Sequence, residues 1–232
     1  MKYYYINLDS AIERRVQIEK QFTDNNVEFQ RVQAILYDEN SKNIKFAKEI
    51  ACHKSHIKAI YEFVNNSNDE YAVICEDDLT FEYKKYWKHN SIEEVINISP
   101  NDMGIIQLCI IYARINKPEV AWKSQPDFIK WGTIPGMGSC LSYIITRKCA
   151  IELLKYYCKG GSNINDIIIS TIADCNHGGV YMNVNNFTQF TSYTYKYPMF
   201  TYRDNNDTQL GNCLNNQESS KRQVRYFLEH ST

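Results

Sequence analysis

An apolar run, Tyr71-Ala72-Val73-Ile74-Cys75, ends without a spacer in three consecutive carboxylates, Glu76-Asp77-Asp78. Short runs of such β-preferring residues predict a buried strand. Side chains alternate along an extended strand, so Glu76 and Asp78 are expected on one side and Asp77 on the other. Three adjacent acids repel one another unless a cation or charged ligand lies among them. Strand ends are where α/β proteins place ligands. The simplest occupant is a hard divalent cation, Mn²⁺ or Mg²⁺, held by carboxylate oxygens and shared with substrate phosphates. A solvated acidic turn after a core strand is the plainer alternative.

Segments on either side alternate β and α patterns. Tyr3–Leu8 is expected to be a strand, and Ser10 and Glu13 have the spacing of a capping box for a helix after it. That helix would carry Ile12, Val16, Glu19 and Phe22 on one face, with Arg14 and Arg15 near its start. Glu28–Ile35 predicts a second strand, and Lys48–Val64 a helix through Ile50, Ile57, Ile60, Tyr61 and Val64. Further strands are expected at Ile105–Cys109 and Leu141–Ile145, a loop between Gly132 and Gly138, and a helix at Lys148–Tyr157. Past Gly178 the chain is rich in Asn, Thr and Tyr, which predicts loops and short strands. The alternation argues for an α/β class, a mainly parallel sheet flanked by helices.

At 232 residues the chain suits a single domain. Its 26 basic and 27 acidic residues leave no long-range field to attract nucleic acid or an anionic membrane. The N-terminus lacks the apolar core of a signal peptide, and no segment approaches the ~20 apolar residues of a spanning helix. A cytoplasmic location, with peripheral membrane association compatible, is therefore expected. The eight cysteines include no C-x-x-C pair, so free thiols are the expectation.

Three segments together resemble glycosyltransferase family 25, which includes lipooligosaccharide and collagen galactosyltransferases. They are Tyr5-Ile6-Asn7-Leu8-Asp9 with Arg14-Arg15 following, Cys52-His53-Lys54-Ser55-His56, and Val73-Ile74-Cys75-Glu76-Asp77-Asp78. They are similar to that family's I-N-L-D opening, its C-x-x-S-H and its V-x-E-D-D, in the same order and spacing. The stretch from Ser142 to Ala150, with Leu153-Leu154, resembles its strand-to-helix segment.

The resemblance implies a GT-A-like (Rossmann-like) fold and a UDP-sugar donor, with a nucleotide-sugar-binding half over 1–110 and an acceptor-side half and C-terminal tail over 111–232. It also implies inversion at the anomeric carbon and a glycan or protein-linked acceptor. Departure of UDP develops charge on the β-phosphate, which a divalent cation stabilises. Asp78 is then the expected metal ligand, with Glu76 a ligand or ribose contact and Asp77 a loop or nucleotide contact. Asp166 is the expected base, since it falls near the family aspartate; Asp174 is the fallback. A helix-capping role competes for Asp166. Arg14 or Arg15 would pair with phosphate, and Asn7 and Asp9 would contact uracil or ribose. His56 could reach the donor, His177 could be a third metal ligand, and Trp122, Trp131 and the tyrosines of Ser192–Tyr202 could stack on sugars. A Mg²⁺-dependent phosphotransferase or nuclease competes, but no G-x-x-x-x-G-K-[ST] is present. A non-catalytic nucleotide-sugar or glycan-binding module on the same fold is the other alternative.

Overall fold

The computed structural model of the chain describes residues 1–40, 42–109, 111–112, 125–134, 137–158, 180–203, 218, 221–222 and 225. Strand β1 (Tyr3–Asn7) leads through helix α1 (Ile12–Asp24) to β2 (Phe29–Gln33), then α2 (Ile44–Asn66) and β3 (Tyr71–Glu76). A two-residue strand β4 (Leu79–Thr80), a 3₁₀ turn and a short helix α3 (Ile92–Asn97) precede β5 (Met103–Gln107). The described remainder is β6 (Ile111–Tyr112), β7 (Phe128–Lys130), β8 (Met137–Gly138), β9 (Ser142–Thr146) and α4 (Arg147–Tyr157). It closes with α5 (Val180–Phe187), β10 (Thr191–Tyr195) and β11 (Thr201–Tyr202).

Seven strands form one sheet in the order β2-β1-β3-β9-β5-β10-β7. β1 runs parallel to β2 and β3, and β10 parallel to β5. β9 is antiparallel to β3 and β5, and β7 to β10. Most strands thus point one way, which is the mixed, mainly parallel, GT-A-like sheet expected. Alternation sorts the core: Tyr4 and Ile6 of β1 pack under α2, α4 and α5. Tyr3 and Tyr5 pack on Ile18 and Phe22 of α1 on the other face. Among the described residues no helix is long and apolar enough to cross a membrane.

Helix α1 departs from expectation in two ways. It begins at Ile12 behind Ala11, with no side-chain cap, so Ser10 lies in a turn outside the helix and the Ser10/Glu13 box does not form. Capping-box chemistry occurs instead at α3, where Ser91 Oγ accepts from Glu94 N at 3.2 Å and Glu94 Oε2 accepts from Asn90 N at 2.9 Å. Second, Ile12 and Val16 are 56% and 59% exposed, while the buried face is Arg14, Ile18 and Phe22. Of the expected face, Phe22 is buried but Ile12 and Val16 are not, because the residue drawn inward at the first turn is a cation, Arg14, with buried partners.

Helix α2 starts earlier than expected because Asn43 caps it, its Oδ1 accepting from Phe46 N at 3.1 Å. At the far end, Arg147 donates to Val64 O at 2.7 Å and Ser67 O at 2.6 Å, satisfying a carbonyl of the last turn. In the tail, β10 and β11 match the expected short strands, whereas α5 replaces an expected loop. Its Asn-rich sequence has little intrinsic helix preference, and Val180, Tyr181 and Val184 hold it by packing into the core.

Gly104 of β5 lies against α4, and a Cβ there would come 2.6 Å from Phe190 Cβ and 2.7 Å from Cys149 Sγ. Gly104→Ala is therefore expected to lower stability by roughly 1–3 kcal/mol, measured by urea unfolding. Unchanged unfolding would mean that α4 and the Phe190 turn yield freely.

Candidate functional site

The parallel strands β1 and β3 end side by side, which brings Asn7 against the carboxylate segment. β3 stops at Glu76, and Asp77 and Asp78 form the turn into β4. Strand alternation therefore ends with Glu76. Asp77 and Asp78 share a partner: Arg14 Nη2 lies 2.6 Å from Asp77 Oδ1 and 3.0 Å from Asp78 Oδ2. Asn7 Nδ2 donates to the other Asp77 oxygen at 2.7 Å. Both Asp77 oxygens are thus engaged, and the residue anchors the turn.

Asp78 differs. Its Oδ1 is buried with no partner among the described residues. Burial, reinforced by the negative charge of Glu76 and opposed by Arg14, pushes its carboxyl up to about 7. Burial also raises Asp77, opposed by Arg14 and the Asn7 hydrogen bond. Glu76 faces helix α2, its Oε1 3.4 Å from His56 Nε2. Around it, burial pushes Cys140 up to about 12, with the Glu76 charge as the second cause.

Arg203 stands on the other side of the turn and was not anticipated from the sequence. β11 pairs antiparallel with β4, and Arg203 N donates to Asp78 O at 2.7 Å. Its Nε, Nη1 and Nη2 are all buried without a hydrogen-bond partner among the described residues. Burial and the nearby Arg14 charge lower its pKa, while Asp78 and Asp77 oppose that shift. A buried guanidinium with no acceptor is costly to maintain, and an anion is its natural complement. The only sequence signal was an arginine directly after Thr201-Tyr202, which says nothing about the distant turn it joins.

The remaining site candidates divide. Arg14 is committed to the carboxylates rather than open to a phosphate, although its Nε has no partner among the described residues. The charge of Arg15 is felt at Tyr5 and Asp9 instead. Asn7 and Asp9 are tied by Arg31, which donates from Nε to Asn7 Oδ1 at 3.0 Å and from Nη2 to Asp9 Oδ1 at 2.5 Å. Gln33 also donates to Asp9, and the Arg31 bond holds that carboxyl below its usual range. His56 is buried against Glu76 and Tyr143. Trp131 packs on Tyr181 with ring centroids 5.1 Å apart, and Tyr195 is fully buried, so both serve packing. Asp166, Asp174, His177 and Trp122 lie outside the described residues.

The donor set suits the cation expected here. Carboxylate oxygens of Asp78 and Glu76 are the hard ligands Mn²⁺ or Mg²⁺ take, and the unpartnered Asp78 Oδ1 is a ready position. A dication would also offset the burial and the Glu76 charge that raise the Asp78 carboxyl.

Comparison with known proteins agrees with the sequence motifs. The profile of glycosyltransferase family 25 (LPS biosynthesis protein) matches residues 1–168. No curated protein matches the sequence. Among solved structures, a glycosyltransferase involved in the glycosylation of the major capsid of PBCV-1 is 9% identical, with a TM-score of 0.35 over 64% of this chain and 61% of that one. A197 from STIV is 10% identical, with a TM-score of 0.37 over 90% and 96%. The glycosyltransferase GlyE of Streptococcus pneumoniae TIGR4 is 9% identical, with a TM-score of 0.35 over 82% and 44%. The chain thus spans 61% of the PBCV-1 enzyme and 44% of GlyE.

Proposed function

This chain belongs to glycosyltransferase family 25, and we propose that it transfers a hexose, galactose or glucose, from a UDP-sugar to a glycan or hydroxylated acceptor with inversion. One observation supports this above the others. Among the described residues, a carboxylate with an unpartnered oxygen, Asp78, adjoins a buried arginine with no acceptor, Arg203. A metal–diphosphate pair has the complementary charges, cation toward the acids and phosphate toward the arginine.

In this reading Asp78 and Glu76 would hold Mn²⁺ or Mg²⁺, which when bound supplies charge stabilisation at the departing diphosphate. Arg203 binds the same diphosphate from the opposite side by charge-assisted hydrogen bonds. Arg14, with Asn7, keeps Asp77 and Asp78 in place so that the turn is formed before donor arrives. Asp166 is the proposed base, taking the proton of the acceptor hydroxyl; its assignment rests on the family resemblance alone.

The test is UDP release from a panel of UDP-sugars with Mn²⁺, Mg²⁺ or EDTA, alongside calorimetric binding of UDP. Turnover of one donor that EDTA abolishes is the expected result. Failure of UDP to bind in the presence of Mn²⁺ would overturn the proposal. Arg203→Met is expected to weaken UDP binding roughly 10- to 100-fold, the range of charged hydrogen bonds lost. Thermal stability should hold or rise in that variant, because a buried cation without a hydrogen-bond acceptor among the described residues is removed. Undiminished UDP affinity would take Arg203 out of the site.

A further inference from the structure

Helix α2 sets Cys52 and His56 four residues apart, so both stand on one face a single turn apart. That face meets the end of β3. Cys52 Sγ, a ring nitrogen of His56 and a carboxylate oxygen of Glu76 all lie within 4.8 Å of one another. His56 Nε2 is the nitrogen toward Glu76 Oε1, at 3.4 Å, and Nδ1 lies 3.3 Å from Tyr143 Oη. We propose that Cys52, His56 and Glu76 form a binding site for a thiolate-accepting divalent metal, Zn²⁺, distinct in chemistry from the oxygen ligands of Asp78. The inference goes beyond the transferase assignment: it shares Glu76 with the cation site proposed there, but its test turns on Cys52, which that site does not use.

The donor types carry the argument first. One sulfur, one imidazole nitrogen and one carboxylate oxygen suit zinc, whereas Mg²⁺ and Mn²⁺ favour oxygen. Distance comes next. Zinc bonds of about 2.0–2.3 Å in a tetrahedron set donors roughly 3.3–3.8 Å apart. The trio, within 4.8 Å, therefore needs to close by about 1.0–1.5 Å at most, which rotamer changes of Cys52 and Glu76 can supply. His56 needs no such change: it is buried, and Tyr143 occupies its second nitrogen, as outer partners of metal-bound histidines commonly do. Charge also closes, since a thiolate and a carboxylate with a neutral imidazole balance a dication. Cys52 forms no disulfide, and it and Glu76 are only half-buried, which leaves a route for the ion. Three protein ligands leave a fourth position for water.

Cobalt titration of the full chain tests the site, because a thiolate–Co²⁺ bond has a near-ultraviolet charge-transfer band that carboxylate ligands lack. Zinc affinity is measured in parallel by competition with a coloured chelator. One equivalent of Co²⁺ should give the band, and Zn²⁺ should displace it. Cys52→Ser should remove the band and weaken zinc by more than about 100-fold, and Tyr143→Phe should weaken it roughly 10-fold. His56→Gln should match Cys52→Ser; if this buried variant does not fold, the half-buried cysteine variant still decides. Asp78→Asn removes a ligand of the donor-cation site alone and should leave the thiolate–Co²⁺ band intact, which tells the two sites apart although they share Glu76. Absence of the band, or zinc affinity unchanged in Cys52→Ser, would overturn the proposal.

Discussion

Asp78→Asn is expected to abolish cation-dependent release of UDP while leaving the metal-free protein at least as stable as the parent. The two effects have one origin. Asp78 is largely buried beside Glu76 and Asp77, and its carboxyl is raised from 3.8 to about 7 because the ionised form is disfavoured there. A group whose folded pKa is raised contributes fully only below its unfolded value, and the contribution is lost as pH climbs through the folded one. The parent should thus lose stability relative to the variant between about pH 4 and pH 7. Above that window the gap is on the order of 1–4 kcal/mol, the lower end reflecting compensation by Arg14. Below about pH 4 the two should coincide. Urea unfolding in EDTA at pH 4 and pH 8, set beside an activity assay, checks both halves. A variant that still turns over donor with unchanged metal dependence would sink the assignment of Asp78. Acids that strain the empty fold and serve the loaded one are a familiar form of stability traded for function.

Arg14→Ala should do the reverse and destabilise strongly, by about 3–5 kcal/mol, the usual consequence of leaving buried charge uncompensated. Its Nη2 is the cation for both Asp77 and Asp78, and the aliphatic stem lies on the buried face of α1 with Ile18 and Phe22. Arg14→Lys should recover only part of the loss, because an ammonium lacks the planar fork of donors. The decisive comparison is a double-mutant cycle. If the ion pairs are responsible, Arg14→Ala should cost less in an Asp77→Asn/Asp78→Asn background than in the parent. An equal cost in both backgrounds would assign the effect to lost packing of the stem. Donor binding should fall with stability in Arg14→Ala, since the turn would no longer be held for a ligand.

The sequence made some of this legible and concealed the rest for identifiable reasons. Strand β3 stood out because its buried centre is written in apolar residues, and the heart of α2 because Ile57, Ile60 and Val64 recur on its buried face; their ends differ from expectation by only a few positions. The carboxylates were visible as a group, yet which of them point together was not. Alternation applies only while the chain is extended, and the strand stops at Glu76. Arg14 was visible as a phosphate candidate, but its partners are acids 63 and 64 residues further on, counting from 14 to 77 and 78. Arg31 and Arg203 escaped notice because nothing local marks them. The first becomes meaningful when β2 aligns with β1, the second when β11 aligns with β4. Long-range strand pairing determines such contacts, and periodicity within a window does not contain it.

The strand order also gives the molecule a timetable. Everything needed for the acidic turn, from Asn7 and Arg14 to Asp78, lies in the first unit of the chain, where β1, β2 and β3 pair directly. The rest of the sheet joins that unit only through β9, whose antiparallel edges meet β3 on one side and β5 on the other. Arg203 comes later still, after β10 and β11. As the chain leaves the ribosome, the acids are therefore assembled and mutually repelling well before their second arginine exists. On the proposed function, a nascent chain in that condition would gain from capturing a cation early, and metal supply during synthesis is then expected to bear on yield as well as on turnover.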